Sequence, residues 1–395
     1  TRNLINPSSV IPTRKPYDYS LESSKIISKF KLYLFLSSLV GMNRTYLFKN
    51  NKLWFIVASI LNFILVISVI VFSFQNKAKN STLIIYKNVI CVKYLLLTFN
   101  VMFLQKTKLV KLFKNLCKFD KTLKIENNLD ITNPYIDLTF WVIVGLIVFV
   151  FEFLITLYIA YDTVNYMFPL VYVAYAHDSE ILFFCVLIKT ISRRLHILTA
   201  HVNKLFPKNI KNIRKNASVK KLEGLSENIN LDITSLHHAY EKLHECCEQL
   251  NSIMSSSMLL LILVSGTAST VLLTRVIKMV QLSELCTLVT KLLLTYLTFR
   301  CVRYVILVIF PCYYASATTK KALEIRDTLY EAIHFMNLDK LERRKAKTFL
   351  QLTEDSDFSY YMGYIIKLNM SLPLSFSSHC ITYLIIILQF SKYID

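Results

Sequence analysis

The chain has 395 residues, of which 54% are apolar and only 18% are charged, and its mean hydropathy is +0.44. This composition excludes an ordinary soluble protein and indicates a membrane protein with several spans. The net charge of +20 lies in the gaps between apolar segments, which excludes nucleic acid as the partner and is typical of loops that flank a membrane.

Catalytic and cofactor motifs are missing from the sequence. Five glycines in the whole chain leave no room for a Gly-rich phosphate-binding loop, and there is no zinc-protease, serine-hydrolase or Walker motif. We therefore expect no enzyme activity, no cofactor and no metal site. The first residues lack an apolar core, which predicts that no cleavable signal peptide is present.

Seven segments are long and apolar enough to cross a bilayer, which needs about 20 residues of helix. In chain order they are Leu53–Phe74, Thr82–Leu104, Ile136–Ala160, Tyr166–Ile188, Met254–Thr274, Leu285–Ala315 and Gly363–Phe390. The apolar stretch before them, residues 30–40, is too short to span and is predicted to be an interfacial or packing helix. The sequence thus predicts an all-α, polytopic membrane protein with seven transmembrane helices.

Lys and Arg set the predicted orientation. Of the 46 such residues, 35 lie before span one and between spans two and three, four and five, and six and seven, whereas 5 lie in the alternate connections. Because positively charged loops stay in the cytoplasm, the N-terminus is predicted inside and the C-terminus outside. A G-protein-coupled receptor has the reverse orientation.

The connections that are predicted to lie in the cytoplasm carry apolar residues at helical spacing. In residues 232–250 these are Ile233, Leu236, Tyr240, Leu243, Cys247 and Leu250, and residues 320–336 repeat the pattern. Such stripes need a partner surface, so we expect long helices that extend into a cytoplasmic assembly domain. The predicted segments are a cytoplasmic start (1–52), transmembrane helices 1–4 (53–188), a cytoplasmic helical connection (189–253), transmembrane helices 5–6 (254–315), a second connection (316–362), transmembrane helix 7 (363–390) and an extracellular tail (391–395).

Ionisable and aromatic residues inside the spans are candidates for a ligand pocket, because charges within a membrane are costly and usually functional. Aromatic walls with a few polar groups suit a small organic ligand. The candidates, expected in the outer halves of the spans, are Glu152, Tyr158, Tyr172, Tyr175, Asp178, Lys291 and Tyr296. Alternatively, Glu152 pairs with a Lys and only holds helices together. Arg300 and Arg303 are expected to be structural partners of an Asp or of carbonyl groups.

The C-terminal half resembles a known family in several motifs. Residues 382–390, Thr-Tyr-Leu-Ile-Ile-Ile-Leu-Gln-Phe, resemble the closing signature of insect gustatory receptors, which includes Tyr383 and Gln389. Further elements similar to the family's are Arg193-Arg194-Leu195 after span four, Pro311-Cys312 at the end of span six, and Asp357-Phe358-Ser359 before span seven.

This resemblance implies a ligand-gated, non-selective cation channel, in which the seventh helix of each of four subunits surrounds one pore. It also implies a small tastant as ligand, permeant cations and membrane lipid as partners, and a place in the plasma membrane of a sensory neuron. Family members detect sugars, bitter compounds or carbon dioxide. The chain could work as a homotetramer or as a heteromer with related subunits.

The last helix carries a candidate gate. An amide inside a membrane helix is expensive unless it faces protein or water. Stepping back from Gln389 by three or four residues reaches Ile386 and Thr382, and these three residues with Phe390 are predicted to line the pore and form its gate. An apolar ring can close a channel by dewetting, while an amide ring can hydrate a passing cation. Alternatively, Gln389 bonds a neighbouring helix and Tyr383 only packs.

Two other functions remain as alternatives. A seven-helix G-protein-coupled chemoreceptor shares the number of spans but conflicts with the charge bias. A transporter would show internal repeats or helices broken by Gly and Pro. The ligand is not named by the sequence, although the scarcity of polar groups in the outer part of span six favours an apolar or bitter compound over a sugar.

Overall fold

A computed structural model describes residues 26–28, 30–47, 52–74, 81–123, 143–145, 147–148, 150–155, 164–207, 231–281 and 288–394. Nearly all of these residues are helical. The helices are α1 (Lys31–Leu39), α2 (Lys52–Phe74), α3 (Ser81–Phe99), α4 (Lys106–Thr122), α5 (Ile143–Ile155), α6 (Val164–Leu205), α7 (Ile233–Gln281), α8 (Leu288–Phe335), α9 (Lys340–Asp355) and α10 (Ser371–Ile394). A short hairpin of β1 (Tyr361–Met362) and β2 (Ile366–Lys367) precedes α10.

Several helices have the apolar composition of membrane-spanning segments. Within the described residues, two helices are long and apolar enough to cross a bilayer alone, Ile233–Val280 and Thr290–Phe335. A third is counted if Asn88–Leu104 and Lys106–Thr122 form one span despite the 58° bend between them. Shorter apolar stretches occur at Ile56–Val71, Ile143–Ile155 and Ser371–Ile386. The helical fold class is therefore confirmed, while the count of seven spans and their orientation stay predictions.

The bend between α3 and α4 has a local cause. Residues Asn100–Leu104 form a π-helical turn, and the backbone N–H of Gln105 then donates to the carbonyl of Asn100 at 3.0 Å. Such turns widen the helix by one residue and often mark functional positions. The side chains of Asn100 and Gln105 both donate to Ser257 Oγ of α7, at 2.6 and 3.3 Å. The bend is thereby fixed against α7.

The long helices α6, α7 and α8 form the centre of the structure. Each packs on the other two, α7 also packs on α4, α9 and α10, and the buried residues of these helices belong to one continuous apolar core. Of the nine cysteines in the chain, the eight that lie in the described part are free thiols. Packing, rather than disulfides, holds this part together.

The last helix begins later than predicted. The sequence places its start at Gly363, but residues 361–367 form the hairpin, whose turn has positive φ at Gly363 (60°) and Tyr364 (61°). Helix α10 starts at Ser371, where Asn369 Oδ1 accepts the backbone N–H of Leu372 at 3.2 Å. An Asn at this position satisfies a helix N–H that has no partner in the helix, so the helix begins there.

The hairpin is hydrogen-bonded to α7, and these bonds determine where α10 begins. The N–H groups of Gly363 and Tyr364 donate to the carbonyl and the hydroxyl of Ser255, at 2.9 and 2.8 Å. Asn251 donates to the carbonyl of Ser359 at 2.7 Å and accepts from the N–H of Tyr361 at 3.0 Å. Because three backbone groups of the hairpin and one just before it bond to one helix, α10 leaves from a fixed point on α7.

Candidate functional site

A cavity of about 310 Å³ lies between α1, α5, α6 and α8. Its size is at the lower end of the range found for small-molecule sites. Its walls are mostly aliphatic and aromatic, with Tyr33, Ser37, Tyr175, Asp178, Ser179 and Arg303 as the polar members. The apolar members are Leu36, Val144, Gly145, Val148, Leu182, Phe299, Val302, Ile306, Leu307 and Phe310.

An ion cluster borders this cavity. Arg303 of α8 pairs with two carboxylates, through Nη1 with Glu152 Oε1 at 2.5 Å and through Nη2 with Asp178 Oδ2. Arg300, one turn earlier on α8, lies 3.8 Å from the same Glu152 oxygen and donates to the hydroxyl of Tyr296 at 3.1 Å. Two carboxylates and two guanidiniums therefore balance in charge, as buried ions must.

A second buried chain of polar groups joins α3, α6 and α7. Lys93 Nζ lies 3.0 Å from His177 Nδ1, and His177 Nε2 lies 2.9 Å from Ser265 Oγ. Lys93 and His177 are both buried, and His177 is adjacent in sequence to Asp178 of the ion cluster. Lys93 thus lies close to a cluster whose charges are already balanced.

The N-terminal helix α1 forms one wall of the cavity and is anchored by a separate ion pair. Arg44, in the turn after α1, pairs with Glu180 of α6, at 2.6 and 2.7 Å to its two oxygens, and both side chains are completely buried. Its guanidinium lies 4.1 Å above the ring of Phe183. Tyr33 of α1 stacks on the same ring and donates to the carbonyl of Ser179. Residues 30–40 therefore pack into the bundle.

The structure brings together only some of the predicted ligand residues. Tyr175 and Asp178 line the cavity, whereas Glu152 lies behind it and pairs with an Arg rather than with a Lys. Tyr172 donates to the carbonyl of Leu39 at 2.7 Å. The remaining three are apart from the cavity or undescribed: Tyr296 accepts from Arg300, Lys291 is exposed, and Tyr158 lies outside the described residues.

The cavity lies in a different part of the spans from the predicted ligand pocket, which stays a prediction. Its α8 residues run from Phe299 to Phe310, which is the second half of the predicted span Leu285–Ala315, and α1 closes one side. In the predicted orientation this is the middle and inner part of the bundle, not the outer half. The reason is that α1 inserts against α6, and sequence spacing gave no signal for that insertion. Arg303 was expected as a structural partner and is also a wall of the cavity.

Helix α10 has one covered face and one uncovered face. Leu384 is buried, and the partly buried Phe376 and Cys380 pack on α7 at Gly266. The predicted gate residues lie on the other face, where Thr382 and Gln389 are exposed and Ile386 is 40% exposed. Tyr383 is 62% exposed, and the side chain of Phe390 lies outside the described residues. The stripe from Thr382 to Gln389 therefore has no covering helix within the described chain.

The other motif residues occupy structural positions. Of the Arg193-Arg194 pair, it is Arg194 that is buried, and it binds Asp120 of α4 through two bonds of 2.8 and 2.6 Å. Burial lowers the pKa of Arg194, but the Asp120 carboxylate raises it by more, so the pKa lies above its ordinary value. Arg193, singled out from the sequence, is half-buried and does not make this pair.

The Pro-Cys element lies within α8, and the Asp-Phe-Ser element lies in the segment before the hairpin. Pro311 is within α8 and Cys312 is fully buried. Phe358 is also fully buried, with its ring edge-on to Tyr240 of α7 at 5.1 Å. Asp357 is 55% exposed and accepts from Lys367 at 3.3 Å. None of these residues lines the cavity, and Phe358 and Asp357 connect the segment before the hairpin to α7 and to β2.

Comparisons with known proteins identify a family and a similar fold. Residues 30–394 match the family model described as 7tm Chemosensory receptor. Two solved structures of the insect olfactory receptor OR5 from Machilis hrabei match the fold, one of them in complex with eugenol. For that complex the identity is 16% and the TM-score 0.59, and for the other structure they are 15% and 0.60; each match covers 94% of this chain and 100% of the receptor. No curated protein matches the chain significantly.

Proposed function

The chain belongs to the 7tm chemosensory receptor family, and from this premise we propose that it is a taste receptor that opens a non-selective cation pore when a small organic molecule binds. The family assignment covers residues 30–394, and the fold is that of an insect olfactory receptor. A G-protein-coupled receptor is not favoured, because the family model describes chemosensory receptors and the fold match is to an insect olfactory receptor.

The uncovered stripe on α10 carries the proposal. Thr382, Ile386 and Gln389 lie on one face of an apolar helix, and all three are exposed in the described chain. A polar amide facing lipid is costly, so this face requires water or further protein. Four copies of α10 around one axis would provide both, with the amides and hydroxyls turned to water and the Ile386 side chains as an apolar constriction.

The cavity is connected to α10 through α8. Six of its wall residues are on α8, and α8 packs against α10 as well as against α7. A ligand that favours one position of α8 therefore biases the position of α10, which is what a ligand-gated pore needs. In this scheme the ligand binds among α1, α5, α6 and α8, and the gate lies on α10.

Exposed apolar residues near the C-terminal end of α8 and in α9 suit an interface between subunits. Phe335 is 82% exposed, Leu341 60% and Tyr330 53%. Large apolar groups exposed together usually mark an interface. We propose that this region joins neighbouring subunits in a homotetramer, or in a heteromer with related subunits, in the plasma membrane of a sensory neuron.

The gate is tested with two isoleucine variants of α10. Ile386 and Ile381 are both exposed, but Ile381 lies about 100° around the helix from Thr382. We expect Ile386→Ala to raise the cation current that flows without ligand, because a smaller side chain weakens the dewetted constriction. Ile381→Ala should leave this current unchanged. Purified protein in planar bilayers gives the measurement.

Gln389 provides the second arm of this test. Gln389→Ala removes the amide that would hydrate a passing cation, so the single-channel conductance should fall while the ligand-free current stays low. If both Ile386→Ala and Gln389→Ala channels keep the conductance and leak of the unmodified protein, α10 does not line the pore and the proposal fails.

A further inference from the structure

One carboxylate oxygen in the cavity wall has no donor. Asp178 is 8% exposed, and its Oδ2 is held by Arg303. Its Oδ1 is buried and has no hydrogen-bond partner among the described residues. A buried acceptor without a donor is costly and rare in native proteins. We propose that the cavity takes a neutral, mostly apolar molecule with one hydroxyl group, such as a phenol, and that this hydroxyl donates to Asp178 Oδ1.

The charge of the ligand follows from the cluster around Asp178. Glu152 and Asp178 are already balanced by Arg300 and Arg303, and Lys93 lies nearby beside His177. A protonated amine would add a buried positive charge without a counter-ion, which is expensive. An anion would meet the Asp178 carboxylate at short range. A neutral donor satisfies the free oxygen and leaves the balance unchanged.

The rest of the wall offers a ligand few further polar groups. The hydroxyls of Tyr33, Ser37 and Ser179 already donate to backbone carbonyls within the chain. Most of the other wall residues are apolar, including Phe299 and Ile306. A sugar would bring several hydroxyls into this space and leave most of them without partners, whereas the ring and alkyl groups of a phenol suit the walls.

The ligand class rests on the proposed function only in assuming that the cavity is the ligand site, and binding alone tests it. Three probes of nearly equal size are titrated calorimetrically into the purified protein in lipid nanodiscs: 4-propylphenol, its isomer 4-ethylanisole, which has no donor, and 4-ethylbenzylamine, which is cationic. A hydrogen bond to a charged acceptor corresponds to about 10- to 100-fold in affinity. We expect the phenol to bind tighter than the ether by this factor, and the amine to bind weakest.

Two variants assign the preference to Asp178. Asp178→Asn and Glu152→Gln each remove one carboxylate from Arg303, but only residue 178 lines the cavity. Asp178→Asn should therefore abolish the preference for the phenol over the ether, and Glu152→Gln should retain it. If the two variants lose the preference equally, the carboxylate acts through the ion cluster and the inference is wrong.

A third variant keeps the test decisive if Asp178→Asn does not fold. A Cβ at Gly145 would lie 3.6 Å from the ring of Tyr175, so Gly145→Val fills part of the cavity and should weaken the binding of phenol and ether alike. Equal affinity of the two isomers for the unmodified protein, tighter binding of the amine, or no saturable binding at all each overturns the inference. Binding without any ligand-evoked current would instead support the ligand class and contradict the proposed channel.

Discussion

Asp120 and Asp357 both accept from a cation, but their surroundings differ. Asp120 and Arg194 are nearly buried and share two short bonds, whereas Asp357 and Lys367 are 55% and 41% exposed. Burial removes both water and salt screening, so the loss of one partner leaves a charge that nothing solvates. An exposed pair keeps its water, and its contribution to stability is small. At the scale of single residues, the burial of an ion pair determines how much it contributes to the stability of the protein.

Asp120→Asn should therefore destabilise the protein by about 3–5 kcal/mol, because it leaves the Arg194 guanidinium buried and unpaired. The thermal unfolding midpoint of the detergent-purified protein measures this. Asp357→Asn is the matched control, with an expected loss below about 1 kcal/mol.

A double variant separates charge from packing at the same site. Asp120→Leu with Arg194→Met removes both charges and keeps apolar bulk, so it should recover most of the stability lost in Asp120→Asn. Similar midpoints for Asp120→Asn and Asp357→Asn would show that the buried pair contributes no more than the exposed one.

Helices α7 and α10 meet at Gly266. A Cβ built on this glycine would lie 2.9 Å from a ring carbon of Phe376 and 3.9 Å from Cys380 Sγ. The absence of a side chain thus lets the ring of Phe376 approach the backbone of α7. Because α10 is tied to α7 at its start by the hairpin, this contact determines how closely the rest of the helix follows α7.

Gly266→Ala should push α10 away from α7, since the added methyl group overlaps the ring. Overpacking of this kind costs about 1–3 kcal/mol, and the displaced helix should change the ligand-free current. Thermal unfolding and bilayer recordings measure the two effects. Phe376→Leu in the Gly266→Ala background removes the overlap and should restore both.

Gly145→Ala is the control for this substitution, since its Cβ would meet Tyr175 at 3.6 Å, an ordinary contact. It should leave the thermal unfolding midpoint close to that of the unmodified protein. If Gly266→Ala behaves in the same way, close contact at Gly266 does not position α10.

At the scale of the whole molecule, the two longest helices exceed any bilayer that they cross. Helices α7 and α8 have 49 and 48 residues, which at ~1.5 Å per residue is more than twice the ~30 Å hydrocarbon core. Both must extend well beyond the membrane on one side. The concentration of Lys and Arg in alternate connections predicts that this side is the cytoplasm.

An epitope tag at Asp395 tests this orientation. We expect antibody to stain intact cells without permeabilisation, because the predicted C-terminus is extracellular. Surface biotinylation confirms delivery independently. Staining that requires permeabilisation, in cells where the protein has reached the surface, would reverse the orientation and remove the basis for placing the assembly region in the cytoplasm.

The sequence predicted helices well and contacts poorly, for physical reasons. Apolar runs identify helices because a span must bury its own backbone groups, and the spacing in residues 232–250 correctly indicated a helix. The start of α10 was missed, since the positive φ at Gly363 and the bonds to Ser255 are tertiary features.

The prediction of site residues from the sequence was limited in the same way. Asp178 and Tyr175 were singled out because ionisable and aromatic groups within a span stand out; both line the cavity, and their role in ligand binding stays a prediction. Packing of α1 was one of two predicted roles, but its place in the cavity wall was not predicted, and neither was the choice of Arg194 over Arg193. Arg194 is separated from Asp120 by 74 positions, and Glu152 from Arg303 by 151. No local pattern encodes which of two neighbouring arginines faces a partner so distant in sequence.

The pairing of Arg44 with Glu180 also constrains the order of events during synthesis. The two residues are 136 positions apart, and ribosomes add about 5–20 residues per second, so Arg44 is added to the chain about 7–27 s before Glu180. During that interval α1 has no α6 to pack against. The first helix of the chain can therefore reach its final place only after the later helix has been made and inserted.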